Sequence, residues 1–375
     1  MADHAKLAPS SAYRWMNCPG SIGLSETVPP DHSDNSAADR GTDAHAIAER
    51  TINKLLAEFE KISMLRVCRE GAYIKKRLIK KRLKETLEEL KGELITDFKE
   101  EDLEYLIDYV RYIVFDGRIE KYIEQRLDLS CIYEGTFGTA DAILVSEDDS
   151  IEIVDLKFGR VGVDAEKNPQ LMIYMIGALI DLLKITSIDD IKDKDLILTI
   201  FQPFHKNTQY TVDHVDLWAF YQDVKRAAIE ANSTDPSFRS GDHCKYCPAL
   251  AYCNTAASMF FDSVDVDYKQ SSIEDVAAIY EKKQTLKNMI DACERRLLDE
   301  LHVGSEVGNI YVTTKLSRAK WRPGAIEELR ELLGDRAEVI SPITITNAKK
   351  LLDNKQIEKL LEERKQQKTI NIITK

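Results

Sequence analysis

The sequence predicts an α/β fold, and three observations carry that expectation. Two runs rich in Ile, Val and Leu, 138–145 and 151–157, flank the polar stretch Ser146-Glu147-Asp148-Asp149-Ser150, the pattern of a hairpin with a five-residue loop. An apolar run from Leu171 to Ile180 follows Asn168-Pro169, as expected of a helix over about 168–184 with proline in its first turn. Beyond it, 196–201 and 208–212 read as further strands, and a helix follows from about Asp216 to Ala231. Strands interleaved with helices in this way build a central mixed sheet flanked by helices.

Around this core, residues 10 to about 125 read as mainly helical and 126–160 as mainly strand. Ser272-Ile273-Glu274-Asp275 is a capping pattern that opens a helical segment over 272–302. A strand at 309–315 and two C-terminal helices follow. The expected organisation is a catalytic region over 1–262, with a helical insertion at about 46–120, and a mainly helical accessory region over 263–375. The accessory region has no recognisable catalytic motif, and its Lys/Glu-rich helices read as a packing or interaction element.

In the hairpin register, Val145 faces Ile151, Ile143 faces Ile153 and Asp141 sits opposite Asp155. Side chains alternate along a strand, so Lys157 shares the face of Asp155. Opposed carboxylates roughly 5 Å apart destabilise a sheet unless something neutralises them. The apolar neighbours on that face turn it inward, and buried charge requires a partner or a metal. Two carboxylates suit Mg²⁺ or Mn²⁺, and the Leu156 backbone carbonyl offers a further oxygen. Lys157 is placed to orient water or hold a phosphate, which together makes phosphodiester hydrolysis the expected chemistry. Gln170 and Tyr174, at i and i+4, project from one face of the following helix.

Of seven cysteines, Cys244, Cys247 and Cys253 are spaced C-x₂-C-x₅-C and Cys18 lies far upstream. The N-terminus lacks an apolar signal region, so the expected compartment is the cytoplasm and a disulfide framework is not expected. The spacing reads as metal binding, with Zn²⁺ or an iron–sulfur cluster as the alternatives. Cys68, Cys131 and Cys293 read as ordinary buried thiols.

A formal charge of −12 argues against a uniformly cationic nucleic-acid binder. Seven of the ten residues from Lys75 to Lys84 are nevertheless basic: Lys75, Lys76, Arg77, Lys80, Lys81, Arg82 and Lys84. With Leu78, Ile79 and Leu83 as an apolar seam, this stretch is either a solvated helical face or a DNA contact. A membrane-surface helix is a weaker alternative, because the stretch lacks aromatic anchors. The longest apolar run ends at Asp181 and is too short to span a bilayer, so no membrane association is expected.

Asp141, Asp155-Leu156-Lys157 and Gln170-x-x-x-Tyr174 in this order resemble the PD-(D/E)XK nuclease superfamily, specifically the branch of the RecB and AddB nuclease domains. The resemblance implies a restriction-endonuclease-like core. It also implies an upstream helical metal ligand, which His45 in Arg40-Gly41-Thr42-Asp43-Ala44-His45 matches, with Thr42 expected as N-cap and His45 in the first turn. Glu124 matches an acidic residue at the start of the first core strand. Relatives carry one cysteine before the core and three after it, which implies a 4Fe-4S staple on Cys18, Cys244, Cys247 and Cys253. The chain also resembles a phage and prophage family long described only as a domain of unknown function, from Ser10-Ser11-Ala12-Tyr13-Arg14-Trp15 to Lys320-Trp321, with the basic insertion near 57–100 as a departure. The expected activity is that of a Mg²⁺- or Mn²⁺-dependent DNA exonuclease acting with a phage recombination or replication protein. The alternative is a noncatalytic DNA-end or single-strand binding module on the same scaffold.

Overall fold

The computed structural model describes residues 5–29, 36–61, 72–148, 150–264, 271–316, 319, 321–322, 325–333, 344–348, 351–361 and 366–372. Two compact units divide at Met289 and Ile290. The first opens with two short helices, α1 (Ala12–Asn17) and α2 (Ser21–Thr27), and then three longer ones, α3 (Ser36–Lys61), α4 (Ala72–Leu90) and α5 (Glu104–Val114). Five strands follow: β1 (Glu120–Asp128), β2 (Phe137–Val145), β3 (Ile151–Leu156), β4 (Leu196–Phe201) and β5 (Thr208–Thr211). Helix α6 (Pro169–Gly177) lies between β3 and β4, and α7 (His214–Ala231) follows β5.

The sheet order is β1-β2-β3-β4-β5. Only β3 and β4 run parallel, and their crossover through α6 makes the sheet mixed. Val145 pairs with Ile151 and Ile143 with Ile153, the register expected from the hairpin. Both faces of the sheet are covered. Ile143, Val145, Ile151 and Ile153 pack with Trp15, Leu171, Met175 and Val224 in one core. Ala142, Leu144, Val154 and Leu156 pack with Ile47, Ile52, Leu83 and Ile107 in another. Strand β3 is therefore buried along its whole length, which explains its near-continuous hydrophobic run.

Two details differ from the sequence expectation. Strand structure begins at Glu120, not 126, because α5 ends at Val114. Helix α3 begins at Ser36, so Thr42 is no N-cap and His45 is not in the first turn; the Thr42 hydroxyl instead donates to the Ala38 carbonyl. Glu152 is an acidic residue inside the apolar run of β3. It is fully buried, and its carboxylate accepts from Tyr112 Oη at 2.6 Å and Thr199 Oγ1 at 2.5 Å and lies 2.7 Å from Arg118. A buried charge persists only with such partners.

After α8 (Asn254–Val264) come α9 (Ile273–Glu281), capped by Ser272 as expected, and α10 (Lys283–Glu300). The second unit holds a three-stranded sheet of β6 (Glu306–Val307), β7 (Ile310–Leu316) and β8 (Gln366–Ile372), with α11 (Ala325–Leu333), α12 (Ile345–Ala348) and α13 (Asn354–Leu360). Beside β7, the strand expected at 309–315, the accessory region over 263–375 also carries β6 and β8, while helices hold most of its described residues. The β7 strand needs a partner for its backbone groups, and the polar stretch Gln366–Ile372 supplies it across seven paired positions. Ala325, Leu329, Leu333 and Leu360 form this unit's own small core.

Candidate metal centre

The β2–β3 ladder stops at the Ala142–Val154 pair. Just beyond it the strands part, and Asp141 Oδ2 accepts from the Leu156 amide at 2.6 Å in place of a strand partner. Ala140 and Ala142 lie in different cores, and so do Leu127 and Ile123 on β1. Regular alternation would put each pair on one face, so the pleat changes phase between them. Glu124 sits at that point with φ +45°. A glutamate in the left-handed region is strained, and such strain clusters at functional sites.

His45 approaches from α3. Its Nδ1 lies 3.5 Å from Glu124 Oε1 and 3.4 Å from Asp141 Oδ1. The three side chains offer ligand atoms within 4.8 Å of one another. Bonds of about 2.1 Å place adjacent octahedral donors about 3 Å apart, so a small inward movement completes the spacing. Helix α3 is held in place two residues earlier, where Asp43 accepts from the Ile95 amide at 2.9 Å and the Thr96 amide at 2.8 Å. Arg40, a turn before His45, pairs with Asp102.

Asp155 stands outside this triad, although it was expected as a direct ligand. Its Oδ1 accepts from Gln170 Nε2 at 2.9 Å, and its Oδ2 lies 2.8 Å from Lys157 Nζ. Lys157 donates to Gln170 Oε1 at 2.9 Å, and Gln170 reaches Tyr174 Oη at 3.4 Å. Asn168 caps α6 by accepting from the Gln170 and Leu171 amides, which aims Gln170 at the strand end. Gly138 permits this packing, since a Cβ there would lie 2.9 Å from the Tyr174 ring and 2.7 Å from Pro9. Asp155 Oδ2 is buried and has no aligned hydrogen bond. A buried carboxylate beside a His/Glu/Asp triad fits a divalent cation.

The electrostatics agree with that fit. Burial opposes a charged His45, but Asp141 and Glu124 override it and hold the imidazole pKa well above its ordinary range. Burial also opposes ionisation of Asp141, yet His45, the Leu156 amide and Lys157 bring its pKa below the usual value. Desolvation dominates at Asp155 and Glu124, whose pKa values are raised. Burial disfavours the Lys157 ammonium, and Asp155 restores it and raises its pKa. Three carboxylates and two cationic groups leave one excess negative charge; a divalent cation that displaces the His45 proton makes the site neutral.

His45 carries a raised pKa, so its ion pairs stabilise the cation-free protein below the ordinary histidine pKa and are lost as pH rises through the raised one. Mn²⁺ must compete with that proton, so binding at neutral pH releases about one proton and weakens up to tenfold per unit of acidification. Titration calorimetry in buffers of different ionisation enthalpy measures this directly. Equal heats in all buffers would contradict His45 as a ligand.

The four cysteines meet in a second place. Cys18, Cys244, Cys247 and Cys253 line one small pocket with Arg14, His243 and Phe238. Backbone amides point at two sulfurs: Arg239 donates to Cys18 Sγ at 3.5 Å and Gly241 to Cys244 Sγ at 3.4 Å. Hydrogen bonds to Cys18 and then Cys244 push the His243 pKa up to about 10. Gly20 donates to the Ser237 carbonyl at 2.9 Å, and a Cβ on Gly20 would strike the Phe238 ring at 2.6 Å. The chain's beginning is thus packed against the cysteine segment by its own contacts. Of the other thiols, Cys131 is half-buried and Cys68 lies outside the described residues. Cys293 on α10 is exposed, which corrects the expectation of a buried thiol.

The basic stretch forms the middle of α4, with Ile79, Leu83, Leu87 and Leu90 buried. Its cations largely face carboxylates. Lys76 and Lys80 pair with Glu104, Lys81 and Arg82 with Glu85, Arg82 also with Glu58, and Lys84 with Glu100. The side chain of Lys75 lies outside the described residues, and Arg77 is exposed. No described helix is long and apolar enough to cross a membrane.

Two groups near the site escaped the sequence reading. Tyr109 on α5 is buried, and burial followed by Asp141, Glu124 and Asp155 drives its pKa well above the ordinary value. Asp43, which anchors α3, has an unremarkable helical context in sequence. The Tyr105-x-x-x-Tyr109 spacing was the available signal for the first; none existed for the second.

A solved structure described as "Crystal structure of SSO0001" is 17% identical, covering 56% of this chain and 96% of its own, with a TM-score of 0.25; that score carries no argument. The family model described as "Protein of unknown function (DUF2800)" matches residues 4–373. With nearly its whole length matched, the chain belongs to the DUF2800 family.

Proposed function

We propose that this protein is a Mg²⁺- or Mn²⁺-dependent deoxyribonuclease of the PD-(D/E)XK type, an exonuclease acting at DNA ends or on single strands in phage replication or recombination. The observation that carries the reading is the convergence of His45, Glu124 and Asp141 at ligand spacing, beside the Asp155–Lys157–Gln170 chain. Asp155 and the Leu156 carbonyl complete the proposed ligand set. A divalent cation bound there supplies charge stabilisation at the scissile phosphate and acidity to a water molecule.

The chain's own residues do the rest. Lys157, held between Asp155 and Gln170, presents an ammonium that orients water or holds the phosphate. Gln170 fixes both partners, accepting from Lys157 and donating to Asp155, and Tyr174 borders it. A pure scaffold has no need for three converging carboxylates. On the basic helix, carboxylates face Lys76, Lys80, Lys81, Arg82 and Lys84, and exposed pairs of this kind are weak enough for phosphates to displace.

We also infer a 4Fe-4S cluster on Cys18, Cys244, Cys247 and Cys253. The four sulfurs line one pocket, as four-thiolate ligation requires. The amide donors to sulfur suit thiolate ligation.

End-labelled linear DNA incubated with Mn²⁺ is expected to lose its label while closed circular DNA survives. Cleavage of the circle would make the enzyme an endonuclease. Binding of DNA without any product would favour the noncatalytic module.

A further inference from the structure

Beyond the C-terminal ends of β3 and β4 lies a cluster of aromatic rings that the metal chemistry does not use. Tyr105 is 43% exposed, and its ring centroid is 4.7 Å from that of half-buried Phe204. Phe158 packs edge-on to both, at 5.3 Å from Phe204 and 6.5 Å from Tyr105. Buried Phe98 backs the group, 5.7 Å from Phe158. The guanidinium of exposed Arg160 lies over the Phe204 ring at 5.6 Å. Among the described residues no carboxylate pairs with it.

Three features connect this surface to the metal centre. Phe158 is the residue after Lys157, and Arg160 stands on the segment that joins Lys157 to Gln170. Tyr105 is one helical turn before Tyr109 on α5, the tyrosine in the field of the three carboxylates. The segment is also held rigidly. His205 Nε2 meets the Arg160 carbonyl at 2.7 Å, and Gln202 bonds both the amide and the carbonyl of Val163, at 3.0 and 2.8 Å.

We propose that Tyr105 and Phe204, with Arg160, form a base-stacking platform that holds single-stranded nucleic acid beside the metal centre. Aromatic faces stack on unpaired bases of any sequence, and an arginine without a carboxylate partner complements the phosphate of the same nucleotide. Paired bases in a duplex cannot present their faces to the platform, so it selects unpaired strands. The inference rests on the nuclease reading for its substrate class, but its test does not depend on cleavage.

Binding of a fluorescein-labelled oligothymidylate, followed by anisotropy without added divalent cation, reads the platform alone. Tyr105→Ala is expected to weaken binding about 5- to 150-fold, the loss for one stacked base, and Tyr105→Trp to restore it. Tyr105 is exposed enough for truncation to leave the fold intact, which circular dichroism checks. An abasic oligonucleotide should bind wild type and Tyr105→Ala equally. Equal binding of the base-bearing strand by both proteins, or no binding by either, overturns the platform. Base-dependent binding with no cleavage in Mn²⁺ would leave it standing and remove the nuclease reading instead.

Discussion

Replacing Lys157 with alanine is expected to lower Mn²⁺-dependent DNA cleavage by about 10³-fold while the far-UV spectrum stays unchanged. The reason is positional. The ammonium lies 2.8 Å from Asp155 and 2.9 Å from Gln170, so it is held where a phosphate or attacking water would sit. The side chain is partly exposed, and the strand it ends is anchored by the Lys157 amide donating to the Phe201 carbonyl at 2.8 Å. Truncation therefore spares the backbone. It leaves the Asp155 carboxylate without its cation, and bound Mn²⁺ offsets that charge. Lys157→Arg should recover little, because a planar fork cannot occupy the same point between two acceptors. Retained metal-dependent cleavage in the alanine variant would sink the assignment.

The second large effect belongs to the cysteines. Anaerobically purified protein should be brown, with broad absorption near ~400 nm and both iron and acid-labile sulfide. Cys253→Ser should lose the colour and lower stability by about 2–5 kcal/mol, the range for removing a cross-link. Cleavage per folded molecule should fall far less, since these sulfurs line a cavity of their own and the metal triad is drawn from α3, β1 and β2. Part of the stability will survive, because the Gly20–Ser237 hydrogen bond and the Gly20–Phe238 packing join the same two segments. A colourless protein with stoichiometric zinc would decide for a single structural ion.

The hairpin was readable because its information is local. Alternating Ile and Val about a polar loop determine which residues face each other, and the pairs Val145–Ile151 and Ile143–Ile153 follow from that alone. The cap at Asn168 and Pro169, and with it the spacing of Gln170 and Tyr174, is local too. The cysteine spacing points to a metal by itself, whereas the roles of His45 and Glu124 and the 4Fe-4S identity come only from the family resemblance. Residue type alone would have left these two a helical histidine and a surface glutamate.

Other features depend on distant partners and had no local trace. Thr42 looked like a cap, yet helix α3 continues upstream of it. The basic stretch reads in sequence as a solvated face or a DNA contact, and the Glu58, Glu100 and Glu104 carboxylates that face it come from other elements. Strand β8 was invisible because a short polar segment becomes a strand only when β7 offers an edge.

By itself, then, the sequence determined the α/β class, the hairpin register and the candidate set of Asp141, Asp155, Lys157, Gln170 and Tyr174, since these follow from periodicity and short-range spacing. The tertiary structure decided how that set divides. Glu124 joins His45 and Asp141 because the pleat changes phase where β1 and β2 pass the site, and Asp155 pairs with Lys157 and Gln170 because α6 docks on the opposite face. Both outcomes are set by packing across the sheet, which spacing along the chain does not encode.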